Sequence, residues 1–402
     1  MAKECPTPQP LRNVLGTTLF ITGLFLLTFL ARFVFPPLFP ALAQDIGLTS
    51  GQAGSLFLLA SVGSVVGSTA AGLVSSRINH RGSLLVSVFG IAIALFVVYF
   101  VRSVLALRVL FAFLGMMTGI HSPSSIATLT ATVRLEDWGK ALSIQQLAPP
   151  ASLVAGPLIA TAVLRWSEWD AALLVVAVLA ACLGLAFFLF TGGTGGVGAF
   201  PGDVASPRTL GPVVHTRSFW LMVFLFALGM GAQVGVYSML PLYLTEERQM
   251  SAQGASTLLG LANIAPLVTV FAAGWVTARL GEKRTISIFL PLTGAAMICV
   301  SLLSKVALTV AVVLMAALAV CFFPPAFAAL SRTVQPTYRS LANAFGPPLG
   351  FVLGGGLLPL GLGYLGDLAS LSLGILITGV VVVLGSLAIL GVRLLEKLEE
   401  GC

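Results

Sequence analysis

From Leu15 to Ala43 the chain reads LGTTLFITGLFLLTFLARFVFPPLFPALA, an almost unbroken apolar run longer than the roughly 20 residues a helix needs to cross a bilayer core. Comparable runs follow at about 50–76, 82–101, 104–133, 140–164, 169–190, 218–244, 252–278, 285–303, 306–330, 338–365 and 369–394. Backbone inside lipid must satisfy its own hydrogen bonds, which leaves only helices or a closed barrel. These runs are long and do not alternate in polarity, so the short dyad pattern of barrel strands is excluded. The expected fold class is an all-α membrane protein with twelve transmembrane helices.

Composition narrows the function classes. Of 402 residues, 57% are hydrophobic and 9% charged, with a mean hydropathy of +1.03; a soluble domain carries about 25% charged residues. The net charge of +7 does not point to nucleic acid, because the basic residues lie in short loops between apolar runs and not in one patch. The five cysteines are scattered without metal or disulfide spacing, so no metal or other cofactor is expected. No small-residue cleavage site follows a short apolar core near the start, which argues against a cleaved signal peptide. The absence of a GxxxxGK[ST] phosphate loop excludes a built-in ATPase, and no enzyme activity is expected.

Lys and Arg placement sets the orientation. Counting with the N-terminus inside, cytoplasmic segments hold Lys3, Arg12, Arg77, Arg81, Arg134, Lys140, Arg208, Arg217, Arg279, Lys283, Arg284, Arg332, Arg339, Arg393 and Lys397. Outer loops hold only Arg102, Arg165, Arg248 and Lys305. The positive-inside rule then puts both termini of a multi-pass protein in the cytoplasm, in a cell (inner) membrane.

The runs fall into two sets of six. Residues 1–190 form the first bundle and 218–402 the second; between them, 191–217 is rich in Gly and Pro and reads as a cytoplasmic linker. The sets repeat at an offset of 202: GLVSSRINHR from Gly72 to Arg81 parallels GWVTARLGEK from Gly274 to Lys283. The same offset carries Thr49 onto Ser251, Leu56 onto Leu258, Pro123 onto Pro325 and Pro157 onto Pro359. A six-span repeat is the signature of a secondary transporter whose site lies between its halves near the midplane.

These motifs resemble the major facilitator superfamily over the whole length. Its loop between helices 2 and 3 typically reads Gly-x-x-x-Asp-Arg-x-Gly-Arg-Arg; Gly72, Arg77 and Arg81 match, with Ser76 for the acid and Asn79 for the second glycine. The second copy keeps Gly274, Arg279, Gly281, Lys283 and Arg284, with Ala278 for the acid. Trp138-Gly139-Lys140-Ala141-Leu142, Ala155-Gly156-Pro157-Leu158 and Arg108 are further points of similarity. The resemblance implies two pseudo-symmetric six-helix bundles, a monomer, and a gating role for Gly72, Arg77, Arg81, Gly274, Arg279, Lys283, Pro157 and Pro359.

Charge inside the spans is purely positive. All fourteen acids fall outside the span cores, so a cationic substrate would find no embedded carboxylate and an anion is the natural counterion. Arg32 leads the candidates for binding it. Its place in R-F-V-F-P-P-L-F-P is similar to the helix 1 arginine of organophosphate:phosphate antiporters, which contacts phosphate. Their second basic residue falls here on Val234, and a single arginine suits a smaller or singly charged anion such as a carboxylate. The alternative for Arg32 is snorkelling to the interface past a break at Pro36-Pro37.

Lesser candidates each carry a bland alternative. His121 can take a proton or donate to the anion, or can simply be satisfied by nearby hydroxyls. Gln233, Tyr237 and Asn263 can bind substrate or bridge helices, and so can Gln145, Gln146 and Asn343, although Gln145 and Asn343 sit near span ends. Arg108, near the outer end of its span, reads first as a structural, snorkelling arginine, with a functional role as the alternative. Paired prolines at 36–37, 149–150, 324–325 and 347–348 kink their helices, and the GxxxG pairs at Gly63/Gly67, Gly115/Gly119, Gly231/Gly235 and Gly346/Gly350 permit close packing.

The expected function is secondary transport of a small anion by alternating access, coupled to a proton or run as exchange. Efflux of a neutral or lipophilic compound and a transport-inactive sensor are the alternatives.

Overall fold

The computed structural model describes residues 8–100, 103–193, 197–202, 211–335 and 338–394. Part of the expected linker, with Arg208, lies outside these residues, as do Lys3, Arg102 and Lys397. Among the described residues, eleven helices are long and apolar enough to cross a membrane. The helix Ser50–Tyr99 has 50 residues, about 75 Å at 1.5 Å per residue, against a hydrocarbon core of about 30 Å. It breaks at Asn79 (φ 61°, ψ 172°) and so supplies two crossings. Twelve crossings result, as the apolar runs predict.

We number them α1 (Leu15–Ile46), α2 and α3 (the arms 50–78 and 80–99 of Ser50–Tyr99), α4 (Val104–Thr132), α5 (Lys140–Val163) and α6 (Trp169–Thr191). The second set is α7 (Arg217–Glu247), α8 (Ala252–Leu280), α9 (Glu282–Leu302), α10 (Lys305–Ser331), α11 (Phe345–Leu368) and α12 (Leu371–Gly391). The chain divides into two compact units: 1–48, 59–205 and 250–260 in one, and 49–58, 206–249 and 261–402 in the other. The two exchanged segments, 49–58 and 250–260, are related by the 202-residue repeat.

Lipid tails are as apolar as leucine, so helices in a membrane associate through close packing and buried hydrogen bonds and not through hydrophobic burial. In the first unit this closeness comes from paired glycines. A methyl group at Gly63 or Gly67 of α2 would overlap the backbone of Ala112 or Met116 on α4, and one at Gly115 or Gly119 would overlap Ala60 or Ser64 on α2. The two GxxxG pairs therefore dock on each other. In the second unit α7 and α11 meet in the same way: Gly354 lies on the Ala227–Gly231 backbone and Gly235 on Gly354. Both partners carry a π-helical turn there, Gly231–Gly235 and Val352–Leu357.

The carboxylates at span ends hold helix termini. Asp45, at the end of α1, accepts the Trp169 indole N–H at 2.9 Å at the start of α6. Its repeat mate Glu247, at the end of α7, accepts the backbone N–H of Leu371, and that of Ser372 at 3.0 Å, at the start of α12. The first turns of α2 and α8 match too: Thr49 Oγ1 accepts the Gln52 amide at 3.3 Å and Ser251 Oγ accepts the Gly254 amide at 3.1 Å. A hydroxyl at that place satisfies one of the four donors a helix N-terminus leaves open.

Candidate functional site

Arg32 stands in the last turn of the first segment of α1, Leu15–Phe33, and is 3% exposed. Pro36 and Pro37 carry no N–H, so the helical bonds to the Arg32 and Phe33 carbonyls cannot form. The chain tightens instead: Phe35 N–H reaches the Arg32 carbonyl at 3.4 Å, and Pro36–Leu38 continue as a 3-10 turn. The loosened backbone is covered by α5, since a Cβ at Gly156 would lie 2.6 Å from the Phe33 carbonyl oxygen. At the repeat-related contact the sizes are exchanged, with Gly235 of α7 against the Leu358 side chain of α11. Phe35 packs edge-on against Phe111 of α4, ring centroids 4.5 Å apart. Arg32 thus sits where a kinked helix is held by its neighbours. Its fork of five donors suits a carboxylate or phosphate, and a cation so desolvated is costly unless paired.

His121 lies in the same unit, fully buried on α4. Its Nδ1 is 2.8 Å from Ser87 Oγ of α3, and its ring stacks on Phe25 of α1 at 6.0 Å. Ser87 donates its own hydrogen to the Leu84 carbonyl at 2.8 Å, so the imidazole supplies the proton of the shared bond from Nδ1. That tautomer leaves Nε2 with a lone pair, buried and with no hydrogen-bond partner among the described residues. Phe25 and Arg32 are seven residues apart on α1, about 10 Å along the axis, so His121 and Arg32 occupy different levels.

Gln233, Tyr237 and Asn263 belong to the second unit. Gln233 is half-buried within the π-helical turn of α7, and Tyr237 follows it by four residues, 3% exposed. Asn263 is 4% exposed at a break in α8, just before the helix resumes at Ile264 with Pro266 in its first turn. Gln145 and Asn343 bridge helices: Gln145 Nε2 donates to Ser125 Oγ, and Asn343 Nδ2 to Ser331 Oγ at 2.6 Å. Gln146 is exposed and Arg108 half-buried.

The residues expected to gate divide into ties and free surfaces. Arg81 donates from Nε to Thr191 Oγ1 at 2.7 Å and from Nη2 to the Phe188 carbonyl at 2.9 Å, tying the α2–α3 turn to the end of α6. Its amide donates to the Gly198 carbonyl at 2.7 Å, bringing the linker onto the α2–α3 turn. Arg77 is exposed and Gly72 half-buried. In the second copy Arg279 lies over the Trp275 ring at 3.7 Å, Lys283 is half-buried, and a Cβ at Gly274 would meet nothing within 4 Å. Pro157 and Pro359 each pack on a glycine: Pro157 on Gly260 within the first unit, and the Pro359 carbonyl on Gly54 within the second.

Ser87, Asp367, Asp45 and Glu247 contribute without having been singled out in the sequence. Ser87 fixes the His121 tautomer, and nothing marks it out among the chain's many serines. Asp367 accepts the amides of Ser50 at 3.0 Å and Gly51 at 2.9 Å, capping α2 from α11. The Asp45 and Glu247 pair was legible, since the two acids are separated by the same 202 residues. No group of three or more metal-ligating side chains occurs among the described residues.

The sequence profile of the Major Facilitator Superfamily matches residues 21–304 and 235–400. No curated protein matches the chain. Its fold is similar to that of a bacterial homologue of the human lysosomal transporter Spinster, inward-facing and occupied (15% identity, 96% of this chain and 97% of that one, TM-score 0.78). It is also similar to the nucleoside transporter NupG (15% identity, 93% and 98% covered, TM-score 0.71) and to a POT family transporter in complex with 5-aminolevulinic acid (15% identity, 92% and 95% covered, TM-score 0.72). With the profile spanning most of the chain and an all-α fold of twelve crossings, the protein is a multi-pass membrane transporter that belongs to the Major Facilitator Superfamily.

Proposed function

We propose that the protein is a secondary transporter of a small anion, a carboxylate or another organic anion, working by alternating access with a proton or by exchange. The observation that carries this reading is the burial of Arg32, a cation, within a span, while four span-end acids serve contacts of their own. Asp45 accepts from Trp169, Glu247 from Leu371 and Ser372, Asp367 from Ser50 and Gly51, and Glu282 pairs with Arg332 at 2.8 Å. An ionisable side chain inside the hydrocarbon layer is costly to bury and reads by default as functional. In this reading Arg32 binds the anion, Gln233, Tyr237 and Asn263 complete its hydrogen bonds, and His121 carries the proton. The protein acts as a monomer in the cell membrane with both termini cytoplasmic.

The names of the structural neighbours join unlike cargoes, a nucleoside in one and 5-aminolevulinic acid in another, so the fold does not select a substrate. One observation favours a second reading, efflux of a neutral or lipophilic compound. Arg32 is 3% exposed beside a close α1–α5 contact, which also suits a structural role.

The deciding experiment is uptake of a panel of carboxylates and phosphate esters into proteoliposomes, with and without a pH gradient, for the wild type and Arg32→Gln. Anion uptake that the substitution abolishes supports the first reading. Uptake that survives at full rate and affinity, or no anion uptake at all, moves the assignment to the second.

A further inference from the structure

In the second unit α9 and α12 cross where Gly294 meets Gly379. A Cβ at Gly294 would lie 2.7 Å from the Gly379 carbonyl oxygen, and one at Gly379 would lie 2.9 Å from that of Gly294. Helices that touch backbone to backbone at one point separate on either side of it. Toward the start of α9 and the end of α12 this separation leaves a groove of about 210 Å³, bordered by Ser287, Pro291, Val383, Leu384, Leu387 and Leu390. Its hydroxyls are occupied locally: Ser287 donates to the Lys283 carbonyl at 2.8 Å, and Ser386 to the Val383 carbonyl at 2.6 Å. The groove is therefore apolar in effect, and none of its lining residues is acidic.

Its end is basic. Arg284 precedes Ser287 by three residues and Pro291 by seven, which places it on the same face of α9. Arg393 lies two residues beyond the end of α12, and its amide donates to Ser218 Oγ at 2.9 Å, pinning that end beside Arg217. Arg217, Arg284 and Arg393 are all exposed, and Glu282, the acid nearest in sequence to Arg284, is engaged by Arg332. An exposed apolar trough on a membrane-spanning helix pair, ending in arginines, is complementary to a phospholipid. We propose that this groove binds one anionic phospholipid, with an acyl chain along Pro291, Leu384, Leu387 and Leu390 and the headgroup phosphate between Arg284 and Arg393. Basic clusters at a membrane surface favour anionic headgroups, and a guanidinium meets phosphate through two parallel N–H groups.

The test uses the full-length protein in native mass spectrometry, with equimolar phosphatidylglycerol and phosphatidylcholine of matched chains. The wild type is expected to retain phosphatidylglycerol over phosphatidylcholine by at least about fivefold. The preference should fall to parity in R284Q/R393Q and persist in R165Q, a substitution of an exposed arginine in the α5–α6 turn. S287W, which fills the groove and leaves both arginines, should lose the retained lipid of either kind. Equal retention of the two lipids by the wild type overturns the proposal, as does a preference unchanged in R284Q/R393Q. Full competition by free glycerol phosphate would also overturn it, since the ligand would then be a soluble anion. R284Q and R393Q alter exposed side chains, and an unchanged melting temperature separates loss of the site from loss of the fold.

Discussion

Asn79 and Gly281, 202 residues apart, hold the same unusual backbone conformation: φ 61°, ψ 172° at one and φ 80°, ψ 165° at the other. The hydrogen bonds around them coincide as well. Ser83 Oγ donates to the Asn79 carbonyl at 2.9 Å, and Thr285 Oγ1 to the Gly281 carbonyl at 2.8 Å. Each residue marks the turn from the second helix of its set into the third. This region of φ and ψ is essentially reserved for glycine, and a side chain held there costs of order 1–3 kcal/mol. Asn79 offsets part of the strain through its side chain, whose Oδ1 accepts the Gly82 amide at 2.8 Å and caps α3. Exchange of the cap (about 1 kcal/mol) for relief of strain predicts that Asn79→Gly stabilises by up to about 2 kcal/mol. Gly281→Asn, which acquires the strain, should destabilise by about 1–2 kcal/mol. Thermal unfolding of the two variants in detergent should move the melting temperature in opposite directions.

Asp45 and Glu247 make the same kind of tie with different partners, one indole N–H against two backbone amides. Hydrogen bonds to a charged group contribute about 1.5–3 kcal/mol, and a buried amide left without an acceptor adds its own cost. Glu247→Ala is therefore expected to cost about 3 kcal/mol and Asp45→Ala about 1.5 kcal/mol. Hydrogen exchange at the Leu371 and Ser372 amides should accelerate in the first variant only. Equal destabilisation by the two would show that the amides are satisfied without Glu247.

How much of this was legible beforehand follows from what a uniformly apolar helix hides. The twelve crossings were readable because bilayer thickness fixes run length, and the repeat because paired residues such as Gly72 and Gly274 keep one offset. The π-helical turns at Gly231–Gly235 and Val352–Leu357 were not. One extra residue per turn shifts the phase of a pattern, and a helix apolar on every face has no phase to shift. For the same reason the directions of Arg32 and His121 were not readable, since lipid-facing and protein-facing sides look alike in composition. Pro36-Pro37 did announce the break beside Arg32, because loss of two N–H groups has a local consequence wherever it occurs.

Asp137 supplies a pH-dependent tether outside the spans. Its Oδ2 accepts the Leu11 amide at 3.1 Å and its Oδ1 meets Lys140 Nζ at 3.0 Å. The Leu11 amide first, and then Lys140, holds this carboxyl below the usual carboxylate range. A pKa lowered in the folded state means that the contribution is fully present above the unfolded value. It is lost as pH falls through the folded one. The N-terminal segment, also joined by Gln9 N–H to the Thr132 carbonyl at 3.0 Å, should stay docked at pH 7 and loosen below about pH 4. Hydrogen exchange at Leu11, corrected for its intrinsic pH dependence, should show that step in the wild type and lack it in Asp137→Asn.

Arg32→Lys separates charge from geometry. Lysine keeps the positive charge on a flexible stem but loses the planar fork that grips two oxygens at once. If the anion is bound bidentately, its KM in proteoliposome uptake should rise about tenfold with folding intact, the equivalent of one charge-assisted hydrogen bond. A variant that transports like the wild type would reduce the role of Arg32 to a point charge.

His121 can be tested without disturbing its packing. Ser87 directs its hydrogen to Leu84, so the structural duty of the imidazole is to donate from Nδ1, and Nε2 is the atom left to receive a proton. Asparagine places an amide N–H near the position of Nδ1 but cannot titrate in this range. His121→Asn should keep the bond to Ser87 and melt close to the wild type. If Nε2 carries the coupled proton, the variant should also lose the dependence of uptake on an imposed pH gradient, leaving uptake driven by the anion gradient alone. A pH response equal to that of the wild type, in a variant of equal stability, would make His121 a packing residue joining α1, α3 and α4 and would move proton coupling elsewhere in the chain.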